Sequence, residues 1–157
     1  MRLADMPESE RAHMLASIPK LPEFGLNPWV PGGPLSTRRV AIVTSSGIHA
    51  RGDRPFGQDG VRHDYRVIPS SVAGADLVMS HMSVNFDRFA FQQDVNVVFP
   101  LDRLKEFADQ GIIGSVADFH YSFMGALAPV SRMEATAREV GRLLKQEQVD
   151  AVLLTPV

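Results

Sequence analysis

Cysteine is missing from all 157 residues. Disulfides, thiolate metal ligands and a cysteine nucleophile are therefore excluded within this chain. Any redox chemistry has to come from a partner, a cofactor or another stretch of polypeptide. Long hydrophobic runs are missing too: none approaches the ~18 apolar residues that a bilayer-spanning helix needs. Met1 to Lys20 lacks the basic end and apolar block of a secretory leader, so a cytoplasmic location is expected. A strong charge of either sign is absent. The formal net charge of −2 gives no general reason to bind nucleic acid or an anionic membrane. Several motifs are also lacking: the G-x-G-x-x-G and G-x-x-x-x-G-K-[ST] phosphate loops, the G-x-S-x-G nucleophile elbow and a tight H-x-x-x-H pair.

What remains is the composition of an ordinary globular domain, 45% apolar and 22% charged, which suffices for a sizeable core. The chain reads in two parts, 1–37 and 38–157. Pro7 to Ile18 predicts a helix with Ala12, Leu15 and Ile18 on one stripe. Pro19, Pro22, Pro28, Pro31 and Pro34 then exclude a helix or central strand. They predict an extended, proline-rich arm that packs through Phe24, Leu26 and Trp29. From residue 38 onward, Val40 to Thr44, Tyr65 to Ile68, Leu77 to His81, Val95 to Phe99, Ile112 to Val116 and Ala151 to Thr155 read as strands. Residues 50–64 and 119–125 read as loops. Leu101 to Ala108 predicts a helix stopped by Gly111. Ser131-x-x-Glu134 predicts the capped start of another, with Met133, Ala137, Val140 and Leu144 on its apolar face. This order is that of an α/β protein with a Rossmann-like open sheet, mostly parallel. Ala151 to Thr155, apolar throughout, is expected at its centre, covered on both faces.

Three histidines follow apolar segments: His49, His81 and His120. In a parallel sheet the strand C-termini share one edge, where ligands bind, so these imidazoles are expected to gather there. Asp53, Asp87, Asp94 and Asp118 are the carboxylates available to complete a zinc or iron site. The plainer alternative is that each histidine bonds a loop backbone. Ser45, Ser46 and Gly47 offer either an anion cradle or a simple strand-end turn. Ser80 adjoins His81, but neighbours on a strand point to opposite faces, which argues against a nucleophile–base pair between them. Met79, Met82, Met124 and Met133 read as packing.

The segments form an ordered series. Val40-Ala-Ile-Val-Thr-Ser-Ser-Gly-Ile-His49 comes first, then Arg66-Val-Ile-Pro69 and Met79-Ser-His81. Asp94-Val-Asn-Val-Val-Phe-Pro-Leu-Asp-Arg-Leu104, His120-Tyr-Ser-Phe-Met-Gly125 and Val149-Asp-Ala-Val-Leu-Leu-Thr-Pro156 follow. Over 38–157 this series resembles the B-type selenoprotein subunits of glycine, sarcosine, betaine and D-proline reductases. The resemblance implies a dithiol-dependent reductase that cleaves a C–N bond. It implies a selenocysteine or cysteine in the loop after the strand matching Val149–Val157, and a pyruvoyl group on a partner subunit. On this reading the chain carries no cofactor itself and stops just before the redox residue, as at a selenocysteine codon. It is then inactive alone. Val97 stands where the family pattern has a cysteine, and the segment between His81 and Asp94 is longer than the pattern. His49, His81, Asn96 and His120 are the expected substrate-pocket residues, by hydrogen bonding or proton transfer to a small amino-acid-like substrate. No metal is assigned. A homo-oligomer, or a complex with a reductase partner subunit, is expected. The alternatives are a non-redox metal- or carboxylate-binding α/β protein, or a structural half that docks on a second chain.

Overall fold

A computed structural model describes residues 3–20, 30–57, 63–83, 86, 88–126 and 130–156. The chain divides into two compact units, Met1–Val30 and Pro31–Val157. In the first, helix α1 (Glu8–Ser17) starts after Pro7, whose extended backbone supplies the boundary, and tightens into a 3-10 turn at Ile18–Lys20. The expected stripe of Ala12, Leu15 and Ile18 is exposed. Phe24, Leu26 and Trp29, on which the packed arm depended, lie outside the described residues.

The second unit is an α/β body built around strand β1 (Arg39–Thr44). It contains strands β2 (Ile48–Ala50), β3 (Tyr65–Pro69) and β4 (Leu77–Met79), then helices α2 (Arg88–Gln93) and α3 (Leu101–Asp109). Strands β5 (Ser115–Val116) and β6 (Phe119–Phe123), helix α4 (Val130–Gln146) and strand β7 (Ala151–Thr155) complete it. Val40 pairs with both Val116 and Ala151, and Val43 with both Tyr121 and Leu154. Strands β5 and β6 therefore lie along one side of β1, and β7 along the other. All three are parallel to β1, whereas β3 joins β6 antiparallel. The mostly parallel α/β class holds, but the sheet is mixed, and β2 and β4 form a separate antiparallel pair. No helix among the described residues is long and apolar enough to cross a membrane.

One sheet face carries the larger core, where Ile42, Ile48, Ile68, Val98, Phe99 and Leu104 meet. On the other face α4 lays Val140, with Met133, Leu143 and Leu144, against Val43, Tyr65, Tyr121 and Phe123. Its outer face holds the exposed ion pairs Arg138–Glu134 and Arg142–Glu139. Helix α3 ends where Gly111 takes the left-handed backbone, φ +69°, as its position in the sequence predicts.

Four local expectations are corrected. Residues 119–123, expected as loop, are strand β6, because its polar residues, His120 and Ser122, point into the core rather than to water. Val95–Val97 is a 3-10 turn, not a strand: the Asp94 carboxylate accepts the Asn96 N–H and bends the chain. Ser131 is the second residue of α4 and so does not occupy its N-cap. Strand β7 pairs only with β1 among the described residues and is an exposed edge, not a covered centre.

Candidate functional site

The C-terminal ends of β1, β6 and β7 carry hydroxyls where the strand interiors carry hydrocarbon. Thr44 lies in register with Ser122 on one side and Thr155 on the other, so the three side chains share a face. Thr44 and Ser46 are fully buried. Thr44 Oγ1 donates to the Val98 carbonyl (3.0 Å) and accepts the Ser46 N–H (3.2 Å). Thr155 Oγ1 donates to the same carbonyl at 3.0 Å. Backbone bonds from Ser45 N–H to Thr155 O, Gly47 N–H to Phe123 O and Gly125 N–H to Ser45 O tie the three strand ends together.

Gly47 then turns the chain at φ +67°, and a Cβ there would sit 3.2 Å from the His81 nitrogen. A side chain there is strained by the backbone conformation and crowded by the His81 backbone. This close approach brings the β2–β4 pair against the strand ends, with Ser80 N–H donating to Gly47 O at 3.0 Å. On it, His49 Nδ1 donates to the Ala50 carbonyl (2.9 Å) and Nε2 lies 2.7 Å from Ser80 Oγ. A carbonyl only accepts, so Nδ1 holds the proton and Nε2 accepts the Ser80 hydroxyl hydrogen. The serine–histidine contact rejected between sequence neighbours thus exists across the two strands, with His49 in place of His81.

His120 has a different task. Arg39 and Val40 pair with Ser115 and Val116, yet Val43 and Thr44 pair with Tyr121 and Ser122, a register advance of two residues. The intervening backbone bulges out of the ladder, and the His120 ring fills the gap. Ile42 N–H, which would otherwise seek a strand carbonyl, donates to His120 Nδ1 at 3.0 Å. Burial, with a smaller contribution from the Lys105 charge, lowers the His120 pKa to about 4 against the opposing pull of Asp118. The ring is neutral and its proton sits on Nε2. His81 is arranged alike: Nδ1 accepts the Ser83 N–H at 3.3 Å, and burial followed by the Arg88 charge lowers its pKa. His81 Nε2, His120 Nε2 and Ser122 Oγ are buried without a hydrogen-bond partner among the described residues. Each such donor costs about 1–3 kcal/mol unless something accepts from it.

The three histidines, expected to follow their strands and gather at one edge, do not occupy equivalent positions. His49 lies within β2, His81 follows β4, and His120 is the second residue of β6. Asn96 stands apart. Its Nδ2 donates to Asp94 (2.9 Å) and Asp102 (3.1 Å), and its Oδ1 accepts the Asp102 N–H (3.1 Å) in the first turn of α3. It also lines a cavity of about 370 Å³ with Gly74, Phe91, Asp94 and Asp102. Asp118 pairs with Arg39 and Asp53 accepts the Ala50 N–H, while Asp87 lies outside the described residues. No cluster of three His, Asp or Glu among the described residues is arranged to hold a metal ion.

The model of one family, glycine/sarcosine/betaine reductase selenoprotein B, matches residues 17–157. The chain belongs to that family. It is 36% identical over 122 residues to the D-proline reductase subunit gamma of Acetoanaerobium sticklandii, covering 77% of this chain and 49% of the relative. It is 29% identical over 123 residues to the glycine reductase complex component B subunit gamma of Symbiobacterium thermophilum, 77% of this chain and 29% of the relative. With the betaine reductase complex component B subunit beta of Peptoclostridium acidaminophilum, identity is 28% over 152 residues, 96% of this chain and 32% of the relative. The chain thus spans about half the length of the first of these relatives and about a third of the others. No solved structure matches it.

Within this reductase B-subunit family member, the stretch from Asp94 to Leu104 that makes the resemblance specific is a helix-capping device. The strand-end hydroxyls of Thr44, Ser46 and Thr155 were not singled out as a group from sequence. The signal was there, in the polar ending shared by Ile-Val-Thr44 and Leu-Leu-Thr155, but only the register sets those endings side by side.

Proposed function

We propose that this chain is the substrate-binding portion of a cytoplasmic, dithiol-dependent reductase B subunit that cleaves a C–N bond of glycine, sarcosine, betaine or D-proline. The family match over residues 17–157 carries this reading. The substrate meets the C-terminal edge of β1, β6 and β7. Near that edge, the Nε2–H of His81 and the Ser122 hydroxyl suit a carboxylate acceptor, which all four substrates possess, while the unpartnered His120 Nε2–H lies deeper along β6. His49 holds Ser80 as a donor whose proton can be exchanged. Asn96 supports α3, and it can meet a ligand from the neighbouring cavity.

This chain has no thiol or selenol of its own, so on this reading it is inactive alone. On this reading the redox residue follows β7, next to the Thr44–Thr155 hydroxyls, and the pyruvoyl group belongs to a partner subunit. The redox residue would attack the carbon bearing nitrogen, forming a carbon–selenium or carbon–sulfur bond as the C–N bond breaks and the amine leaves; one donor thiol would then take the selenium or sulfur while the carbon leaves with a proton, and the second thiol would close the disulfide. This chain's residues bind the carboxylate, exclude water and hold protons at His81 Nε2 and Ser80 Oγ. A carboxylate-binding protein without redox chemistry is the second reading, favoured by the same unpartnered donors.

The test supplies a cysteine or selenocysteine after Val157 and combines the protein with the partner subunits of the Acetoanaerobium sticklandii enzyme. Substrate-dependent dithiol oxidation is expected, reduced at least tenfold by His81→Ala. No oxidation with any of the four substrates, while the intact relative is active in the same assay, overturns the reading. Retained carboxylate binding would then favour the second one.

A further inference from the structure

Strand β7 is bonded to β1 from Ala151 to Thr155 and has no second partner strand among the described residues. Its side chains are apolar and bare: Val152 is 40% exposed, Leu153 38% and Leu154 68%. Leu153 shares the sheet face of Ile42, and Leu154 that of Val43, so hydrocarbon is uncovered on both faces of the edge. Sheet strands lie ~4.8 Å apart and a helix is ~10 Å across, so one helix covers about two strands. Helix α4 covers Val43 and Phe123 and stops short of Leu154. Between them runs an apolar groove of about 260 Å³, lined by Val43, Phe123, Met133, Ala137, Leu154 and Pro156. Edge strands that stay single are normally guarded by charge, proline or a bulge. Here no charged residue interrupts 151–155.

We propose that the free edge of β7 and the groove beside α4 are the docking surface for the half of the B subunit that the match to the D-proline reductase relative leaves out. That half would add an apolar strand to β7 and lay an apolar helix face in the groove. The inference rests on the family reading given above. Two observations select this occupant. The match covers only 49% of the D-proline reductase subunit gamma, so the family joins a portion like this one to at least as much further polypeptide. Strands β1 and β7 are already parallel, so a further parallel strand with its crossover helix extends the sheet without altering it.

The experiment measures amide hydrogen exchange of the full 157-residue chain. It is done alone and with the unmatched half of the Acetoanaerobium sticklandii subunit, at tens of micromolar. Alone, 151–155 is expected to exchange fast. With the half present, exchange there should slow at least tenfold, while β3 at the opposite sheet edge is unchanged. Leu154→Lys, at a position exposed enough to leave folding intact, should weaken the association at least tenfold, and Val67→Lys on β3 should not. Slow exchange in the chain alone would show that another segment of this chain covers the edge and would overturn the proposal. Protection that rises with the chain's own concentration would assign the edge to a second copy and also overturn it. Unchanged exchange with the half overturns it as well. The reductase assay is read separately, so failure here leaves the family function standing.

Discussion

At the scale of single residues, one imidazole does the work of a backbone carbonyl. His120 accepts the Ile42 N–H inside the ladder, and only the neutral ring can do so, because protonation would turn the acceptor into a donor. Its pKa is lowered to about 4 from 6.5. For a base whose folded pKa is depressed, protons favour the unfolded chain. The stabilisation is therefore complete above about pH 6.5 and is lost as pH falls through 6.5 towards 4. The full loss is about 3 kcal/mol at ~1.4 kcal/mol per pKa unit. Urea unfolding between pH 7.5 and 4.5 should show this decline, and His120→Ala should flatten it. The same substitution should cost about 2–4 kcal/mol at pH 7.5, from the cavity and the stranded Ile42 N–H. Gly47 is the second sensitive residue. Gly47→Ala sets a Cβ against the His81 backbone at positive φ. It should lower stability by about 1–3 kcal/mol and cut reductase activity in the reconstituted complex by shifting His81. A melting curve and a substrate titration on the same preparation separate the two effects.

Among the elements, helix α3 shows how a specific stretch of sequence can serve folding. Pro100 offers no side-chain cap, and Asn96, reaching back across the turn, accepts the Asp102 N–H instead. Asn96→Ala should destabilise the protein by about 1 kcal/mol, the usual worth of a cap. If capping is its only task, the KM of the reconstituted reductase stays unchanged. A raised KM without a change in melting temperature would assign Asn96 to the substrate instead. Strand β6 shows why an element can escape sequence reading. Phe-His-Tyr-Ser-Phe alternates with the period of a strand, but the polar members, His120 and Ser122, face the core. Alternation is usually read with the polar side in water, so the segment looked like loop. Helix α4 is the opposite case. Its apolar face is local and was legible before any tertiary contact was known, and the structure adds Glu–Arg pairs at spacings of three and four on the outer face.

For the whole molecule, the consequence of the sheet order is an apolar edge. The same Ala-Val-Leu-Leu-Thr run predicts a buried strand by composition, yet the pairing sets it outermost with Leu154 in solvent. Such a surface binds hydrophobic dyes and promotes association. Leu154→Lys should lower the fluorescence of bound anilinonaphthalene sulfonate and raise the concentration at which the chain stays in solution, with no change in melting temperature. An unaltered dye signal would mean that other exposed hydrocarbon, such as Phe89, dominates.

The sequence by itself determined the α/β class, a helix from Leu101 to about Ala108 stopped at Gly111, the apolar face of a second helix from Met133 to Leu144, and the reductase family. Each of these rests on a local pattern or on an ordered series of short motifs, which need no knowledge of what lies across the fold. The tertiary structure alone decided the pairing of His49 with Ser80, the tautomers of His81 and His120, the row of hydroxyls at Thr44, Ser122 and Thr155, and the exposure of β7. These depend on which strands lie side by side and in what register. A one-residue register shift of β6 or β7 against β1 would send the Ser122 or Thr155 hydroxyl to the other face.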